Sequence, residues 1–351
     1  MTTLHIPVSA IGSILAAQDS LPLTDTKDNG CAHWRAVVFC LCLVAVTFLA
    51  RPGLAADETD WQVTLKTKIM FNSHTSYEFG NPYAPHQLLS RLEFPMDAVW
   101  VGAAARRRLG RASLGVEYLT SLADHKSGTM EDSDWDDDSD PTRLTIYSES
   151  KCRMRPSTQL SADLDLEVAD FIHLPEAVSL RPVVGFRWQQ LLFMAHDGVQ
   201  YTYGAQGETT SVEHLDGNGL SFEQNWYMYF AGLRLGYTWN EPPLLRWIRF
   251  DVQGDWSHVT GKNLDKHLLR GDRTTREGTE GQAWHATLGM TMGLTERLSL
   301  GLEWEYLSLT STGTHRWNQT LGDSAMAMRW SNRVRVWSEQ SSLSINLGYR
   351  F

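Results

Sequence analysis

Asp132 and Asp134 lie one residue apart in Glu131-Asp132-Ser133-Asp134-Trp135, and Asp265 and His267 lie one residue apart in Asn263-Leu264-Asp265-Lys266-His267. In an extended backbone, residues i and i+2 point to one side, so each pair can present both side chains to a common site. Two carboxylates in one site repel each other. At least one pKa then rises, which suits the group to water binding or general acid/base work. A carboxylate bonded to one imidazole nitrogen fixes the tautomer and makes the other nitrogen a better base. The four residues therefore read as machinery for hydrolysis by an activated water.

Each pair also has a bland reading. Asp136, Asp137, Asp138 and Asp140 follow the acidic pair directly, as in a solvated acidic loop, and a lone Asp-x-His in a loop need do no chemistry. A calcium loop of the EF-hand kind would need glycine at its sixth position and glutamate at its twelfth. The chain has Asp137 and Arg143 there, which leaves room only for a looser cation site. No Gly-rich phosphate loop, paired CxxC or nucleophile elbow is present. Ser257-His258 is the one adjacent serine–histidine pair within a strand-like stretch, and neighbours on a strand point to opposite faces.

The elements that must position these residues are strands. With 42% hydrophobic and 21% charged residues, the 351-residue chain is too polar for a bundle of membrane helices. After residue 60 the recurring pattern has period two. Trp61, Val63, Leu65, Thr67, Ile69 and Phe71 alternate with Gln62, Thr64, Lys66 and Lys68, and Leu160 to Val168 alternate with Ser161 to Glu167. Such alternation fits a strand with one face in lipid and one in a hydrated lumen. Ten strand-like stretches are expected, near 61–71, 87–107, 112–122, 158–168, 179–203, 221–239, 247–259, 284–294, 298–309 and 334–351. Short turns at 109–111, 175–178, 240–243 and 295–297 alternate with longer polar segments around 73–86, 123–157, 204–220, 260–283 and 310–333. The fold expected is all-β: a ten-stranded antiparallel transmembrane β-barrel with long extracellular loops. Both acid pairs then fall on loops of one rim. Fourteen tryptophans, among them Trp61, Trp100, Trp226, Trp239, Trp247 and Trp304 on strands, are expected in aromatic girdles. Pro95 and Pro182 are awkward within strands.

The apolar run 36–50, preceded by Arg35 and followed by Gly53-Leu54-Ala55-Ala56, matches a secretory signal cut near Ala55 or Ala56. Residues 1–56 are read as that signal with an N-terminal extension, and 57–351 as the barrel. Of four cysteines, only Cys152 would remain, so no internal disulfide can form. A formal charge of −10 argues against a nucleic-acid partner and for cationic ligands.

Here the chain resembles the omptins, ten-stranded outer-membrane proteases of Gram-negative bacteria. Met130-Glu131-Asp132-Ser133-Asp134-Trp135 looks like the family's acidic pair with its tryptophan, and Asn263-Leu264-Asp265-Lys266-His267 looks like its Asp/His dyad. Ser157-Thr158-Gln159-Leu160-Ser161-Ala162 and Glu223-Gln224-Asn225-Trp226-Tyr227-Met228 match strand stretches between them. The resemblance implies an aspartic-type endopeptidase in the outer membrane, acting on peptides or proteins from the extracellular side. A water would sit between Asp132 and His267, with Asp265 orienting His267 and Asp134 helping to position the water or the scissile carbonyl. It also implies cleavage beside basic residues through two acidic groups in the S1 pocket. One of these is Asn263 here, which points to relaxed or shifted specificity. The other falls at Glu78, or at Tyr77 one position away. Neither metal nor cofactor is implied, but lipopolysaccharide is an activator in the family. The positions that would hold it correspond to Phe186, Trp188 and Gln190, so the family's charged pair is absent and recognition of that kind is not expected. A monomer in contact with outer-membrane lipid follows. The competing reading is a non-catalytic adhesin or peptide-binding barrel.

Overall fold

The structure is a computed structural model and describes residues 61–351 except 85, 123–124, 272 and 322–323. The expected signal and extension lie outside the described residues. Among the described residues thirteen strand segments follow one another: β1 (Trp61–Gly80), β2 (Leu88–Pro95), β3 (Ala98–Leu109), β4 (Ala112–Ser121), β5 (His125–Asp134), β6 (Ile146–Leu166) and β7 (Val178–Tyr203). They continue with β8 (Thr209–Asn240), β9 (Trp247–His267), β10 (Thr274–Gly293), β11 (Leu298–Leu321), β12 (Ser324–Trp330) and β13 (Arg335–Arg350). Every pairing is antiparallel. A closed ring of ten runs β1-β3-β4-β6-β7-β8-β9-β10-β11-β13, and β13 returns to β1. The remaining three, β2, β5 and β12, extend this ring at one end, where β2 bridges β1 and β5, and β12 lies on β11. Closure leaves no strand edge within the bilayer, as a β protein in lipid requires.

The alternation has the sense the sequence demands. Leu65, Ile69, Leu164, Val184, Leu235 and Val252 are exposed on the outside, while Lys66, Lys68 and Asp165 are buried in the lumen. Lumen charges are paired. Lys66 Nζ sits 2.9 Å from Glu117 and 2.7 Å from Glu303. Asp165 takes contacts from Arg106 at 2.6 Å, Arg181 at 2.7 Å and Arg234 at 2.7 Å.

The polar segments between the expected strands differ from the sequence reading. Most of their residues are strand: β8 has 32 residues and β7 has 26, where crossing a bilayer takes about 9–11. The strands therefore run on well beyond the apolar belt, because inter-strand backbone pairing does not need an apolar outer face. The connections left at that end are short, at 135–145, 204–208 and 268–273. The opposite end has turns at 110–111, 241–246 and 294–297 and a 3₁₀ turn Ala169–Ile172. In the tightest of these, Gly110 takes a positive φ of 62° that costs glycine little. Pro95 ends β2, and Pro182 sits where the β6–β7 register stops, so neither removes a needed ladder donor.

Above the ionic lumen the interior turns apolar. Trp100, Leu119, Phe94, Phe193, Phe222, Trp226 and Met228 are fully buried, with Phe94 and Phe222 stacked at 4.3 Å. Trp100 and Trp226 are thus interior packing rather than girdle residues, whereas Trp239 and Trp304 are exposed. This plug separates the charged lumen from the strand ends that carry the acid pairs.

Candidate active site

Asp132 and Asp134 are at the end of β5, held between β2 and β6 by the pairs Leu92↔Asp132↔Ser148 and Ser90↔Asp134↔Ile146. Asp265 and His267 close β9, flanked by Phe222 and Leu220 of β8. The end of β9 is pinned where His267 N donates to Arg273 O at 3.0 Å and Leu268 N donates to Gly219 O at 2.9 Å. Strand alternation turns all four side chains toward the barrel axis. Asp265 and His267 lie some ten residues along β9 beyond Trp256, its outermost large exposed aromatic, and so outside the membrane-spanning belt.

Tyr77 braces Asp265. It reaches across from β1, and its hydroxyl donates to Asp265 Oδ2 at 2.5 Å. The same oxygen lies 3.2 Å from His267 Nε2, so Nδ1 is the ring nitrogen not engaged by Asp265. Asp265 is fully buried, and its other oxygen, Oδ1, has no hydrogen-bond partner. Tyr77 itself is held in a stack with Phe222 at 5.4 Å and Phe79 at 6.3 Å.

The electrostatics divide the roles. Burial and the neighbouring Asp134 push the Asp132 carboxyl up to about 8; Arg270 and Arg273 oppose the rise and Asp265 adds to it. Asp132 therefore holds its proton at neutral pH and can donate it. Burial also pushes Asp265 upward, but the His267 charge and hydrogen bond, the Tyr77 hydroxyl and Arg273 outweigh it and hold the carboxyl below its ordinary range. Burial drives His267 down, with Arg273 and Arg270 in the same direction and Asp265 opposing, so the ring is neutral at pH 7. Tyr77 is raised by burial and by Asp265 and Glu277, and remains a donor. Asp265 is among the charges that act on Asp132, and Asp132 among those that act on Tyr77, so the two sequence pairs lie within electrostatic range of each other.

The two expected specificity residues fare differently. Asn263 faces inward, buried, with both amide atoms lacking partners. Glu78 does not join the site. It lies on the outer face of β1, where its Oε2 receives Arg91 at 2.8 and 3.0 Å, and Arg91 in turn lies over the Trp135 and Trp337 rings. The cause is a β-bulge between Phe71 and His74, with Asn72 at φ 49°. One extra residue reverses which side chains face inward: Lys66, Lys68 and Met70 are inside before it, Thr75, Tyr77 and Phe79 after it. Residues not singled out from sequence are Tyr77 as the partner of Asp265, the arginines Arg270 and Arg273, and the buried Glu277–His315 pair. Ser257 and His258 fall on opposite faces, one buried and one exposed.

A closed ring of ten antiparallel strands, apolar outside and charged within, defines a β-barrel of the outer-membrane type. A family model described as the Omptin family matches residues 62–351, and the chain belongs to the omptin family. Family and fold together make its general class that of an outer-membrane protease. Among solved structures, the outer membrane protease OmpT from Escherichia coli is 15% identical, with 86% of this chain and 99% of that chain covered and a TM-score of 0.73. The translocator domain of the autotransporter NalP from Neisseria meningitidis is 11% identical over 92% of this chain and 98% of its own, with a TM-score of 0.34. No curated protein matches the chain.

Proposed function

We propose that this barrel is an aspartic-type endopeptidase that cuts extracellular peptides or proteins at the outer rim, beside basic residues. The carrying observation is the buried Asp265, bonded by Tyr77 and His267, with the raised Asp132 carboxyl within its electrostatic reach. A water between Asp132 and His267 gives a proton to His267 Nδ1 as its oxygen attacks the scissile carbonyl carbon. Asp132 donates a hydrogen bond to the carbonyl oxygen as negative charge develops there. Asp265 stabilises the imidazolium that forms, and Tyr77 keeps Asp265 in place. The imidazolium then returns its proton to the leaving amine, so no acyl-enzyme forms. Asp134 keeps Asp132 protonated by repulsion. The apolar plug beneath excludes bulk water and strengthens each of these interactions. An acidic chain steers cationic substrates to the rim, an effect that salt weakens.

On the exterior of β7, Phe186 packs against Tyr229 at 5.2 Å and Trp188 donates to Asn225 at 3.3 Å. This aromatic wall is proposed to contact lipid without the charged clamp that a lipid headgroup would need. The monomeric, extracellular-facing arrangement belongs to the same reading.

The test is to refold the chain from Asp57 in detergent, with and without lipopolysaccharide, and to follow cleavage of a mixed peptide library by mass spectrometry beside His267→Ala. Cuts that vanish in the variant support the endopeptidase. A folded wild-type barrel that cuts nothing under either condition favours the non-catalytic adhesin.

A further inference from the structure

One inner step along β9 from Asp265, about 7 Å at ~3.3 Å per residue, a row of buried polar side chains crosses four strands. Gln224, Asn263, Glu277 and His315 are direct cross-strand neighbours in β8, β9, β10 and β11. Asn263 is 5% exposed, Glu277 3% and Gln224 0%. Buried polar groups almost always find partners, yet Asn263 Oδ1 and Nδ2, Glu277 Oε2 and Gln224 Nε2 have none, and neither does Asp265 Oδ1 just above. Three of these five are acceptors, and two of the three belong to carboxylates.

Glu277 is aimed rather than loose. Its Oε1 lies 2.7 Å from His315 Nδ1, and the His315 ring is clamped between Phe79 at 4.0 Å and Trp330 at 4.5 Å. Were this contact only structural, it would leave the neighbouring Asn263 amide without reason to be buried and unpartnered. Beneath the row the space closes: Trp226 lies on Gly261, where an added Cβ would come within 2.3 Å of the indole. The row is thus a buried layer of unpartnered polar atoms one inner step beneath the Asp265–His267 pair, closed below by Trp226.

We infer that Glu277, positioned by His315 and assisted by Asn263, is the specificity-determining residue that receives the long cationic side chain of the peptide residue preceding the cut. An arginine or lysine head group carries only donors and so answers the unpartnered acceptors, and its charge answers Glu277. Glu277, directly opposite Asn263 on the neighbouring strand, supplies the negative charge that selection of a cation needs. This rests on the endopeptidase reading for the position of the cut, but recognition itself is separable from cleavage.

The experiment measures binding of two peptides that differ only in arginine against citrulline, its neutral isostere, to the refolded His267→Ala barrel. Arginine is expected to bind roughly tenfold to a hundredfold tighter, the scale of one charge-assisted hydrogen bond. Adding Glu277→Gln should bring the ratio close to one, and adding Asn263→Asp should widen it. A ratio near one in His267→Ala, a ratio unmoved by Glu277→Gln, or no binding of either peptide overturns the inference. If Glu277→Gln does not fold, as judged by heat-modifiable gel mobility, Asn263→Asp decides: a ratio that fails to widen counts against it. Discrimination in binding with no cleavage by the wild type leaves this inference standing and sinks the protease. Cleavage with no preference for arginine does the reverse.

Discussion

Strand β9 carries two aspartates ten residues apart, each beside a histidine, Asp255 beside His285 of β10 and Asp265 beside His267 of its own strand, and the two have opposite surroundings. Asp255, in the lumen, is held by Arg187 Nη1 and Nη2 at 2.7 Å each, by Gln253 at 2.7 Å and by His285 Nδ1 at 2.8 Å. His285 in turn meets Glu305 at 3.1 Å. Asp265, at the strand end, has one oxygen shared by Tyr77 and His267 and the other with no partner. The first pair is saturated, so its polar groups have no capacity left for a reactant. The second is held firmly on one side and open on the other, which is the condition for meeting a water and a substrate.

The contrast can be broken from either end. His267→Ala should lower kcat/KM by about 10²–10⁴, the usual worth of a general base, with little change in barrel stability; peptide turnover and heat-modifiable mobility read the two effects separately. Asp255→Ala should do the opposite. Removing one member of a buried charge cluster costs about 3–5 kcal/mol, so urea unfolding in detergent should show a marked loss of stability. If Asp255→Ala leaves stability unchanged, the lumen network is not what braces the barrel.

Smaller effects sharpen the comparison. Gly261→Ala forces a Cβ to within 2.3 Å of Trp226 and 2.6 Å of Thr279 Oγ1. Overpacking of this kind costs about 1–3 kcal/mol, measurable as a lowered urea midpoint. Tyr77→Phe removes the donor to Asp265 and should reduce kcat about tenfold, in line with about 1–1.5 kcal/mol for one hydrogen bond; an unchanged kcat would remove Tyr77 from the mechanism. The pH profile should be bell-shaped. His267, depressed below its ordinary value by burial, must be neutral, which places the acid limb below the ordinary histidine range. Asp132 must be protonated, and its carboxyl at about 8 sets the alkaline limb. Asp134→Asn removes the repulsion that holds Asp132 up, so the alkaline limb should move to lower pH. A limb that stays in place would assign it to another group.

Much of this was legible in the chain. The alternation of Leu65, Thr67 and Ile69 with Lys66 and Lys68 reads directly as an outside and an inside, because membrane strands have period two and opposite solvents on their two faces. The spacings of Asp132 with Asp134 and of Asp265 with His267 give a common face within each pair wherever the backbone is extended. Strand length beyond the belt was less legible. Segments such as 204–220 and 260–283 lack an apolar face to mark them, and it is backbone pairing to their neighbours that keeps them extended.

What the sequence could not decide by itself is which wall each pair meets and which residue accompanies it. Local pattern carries Lys66 and Lys68 inward and, extended unchanged, would carry Glu78 inward as well. The bulge at Asn72–Ser73 inserts one residue opposite β13, so Tyr77 enters the site and Glu78 leaves it for Arg91. A register shift is a property of two paired strands, not of one. The row Gln224–Asn263–Glu277–His315 likewise draws on residues up to 91 positions apart, which only the pairing and register of β8 to β11 make neighbours.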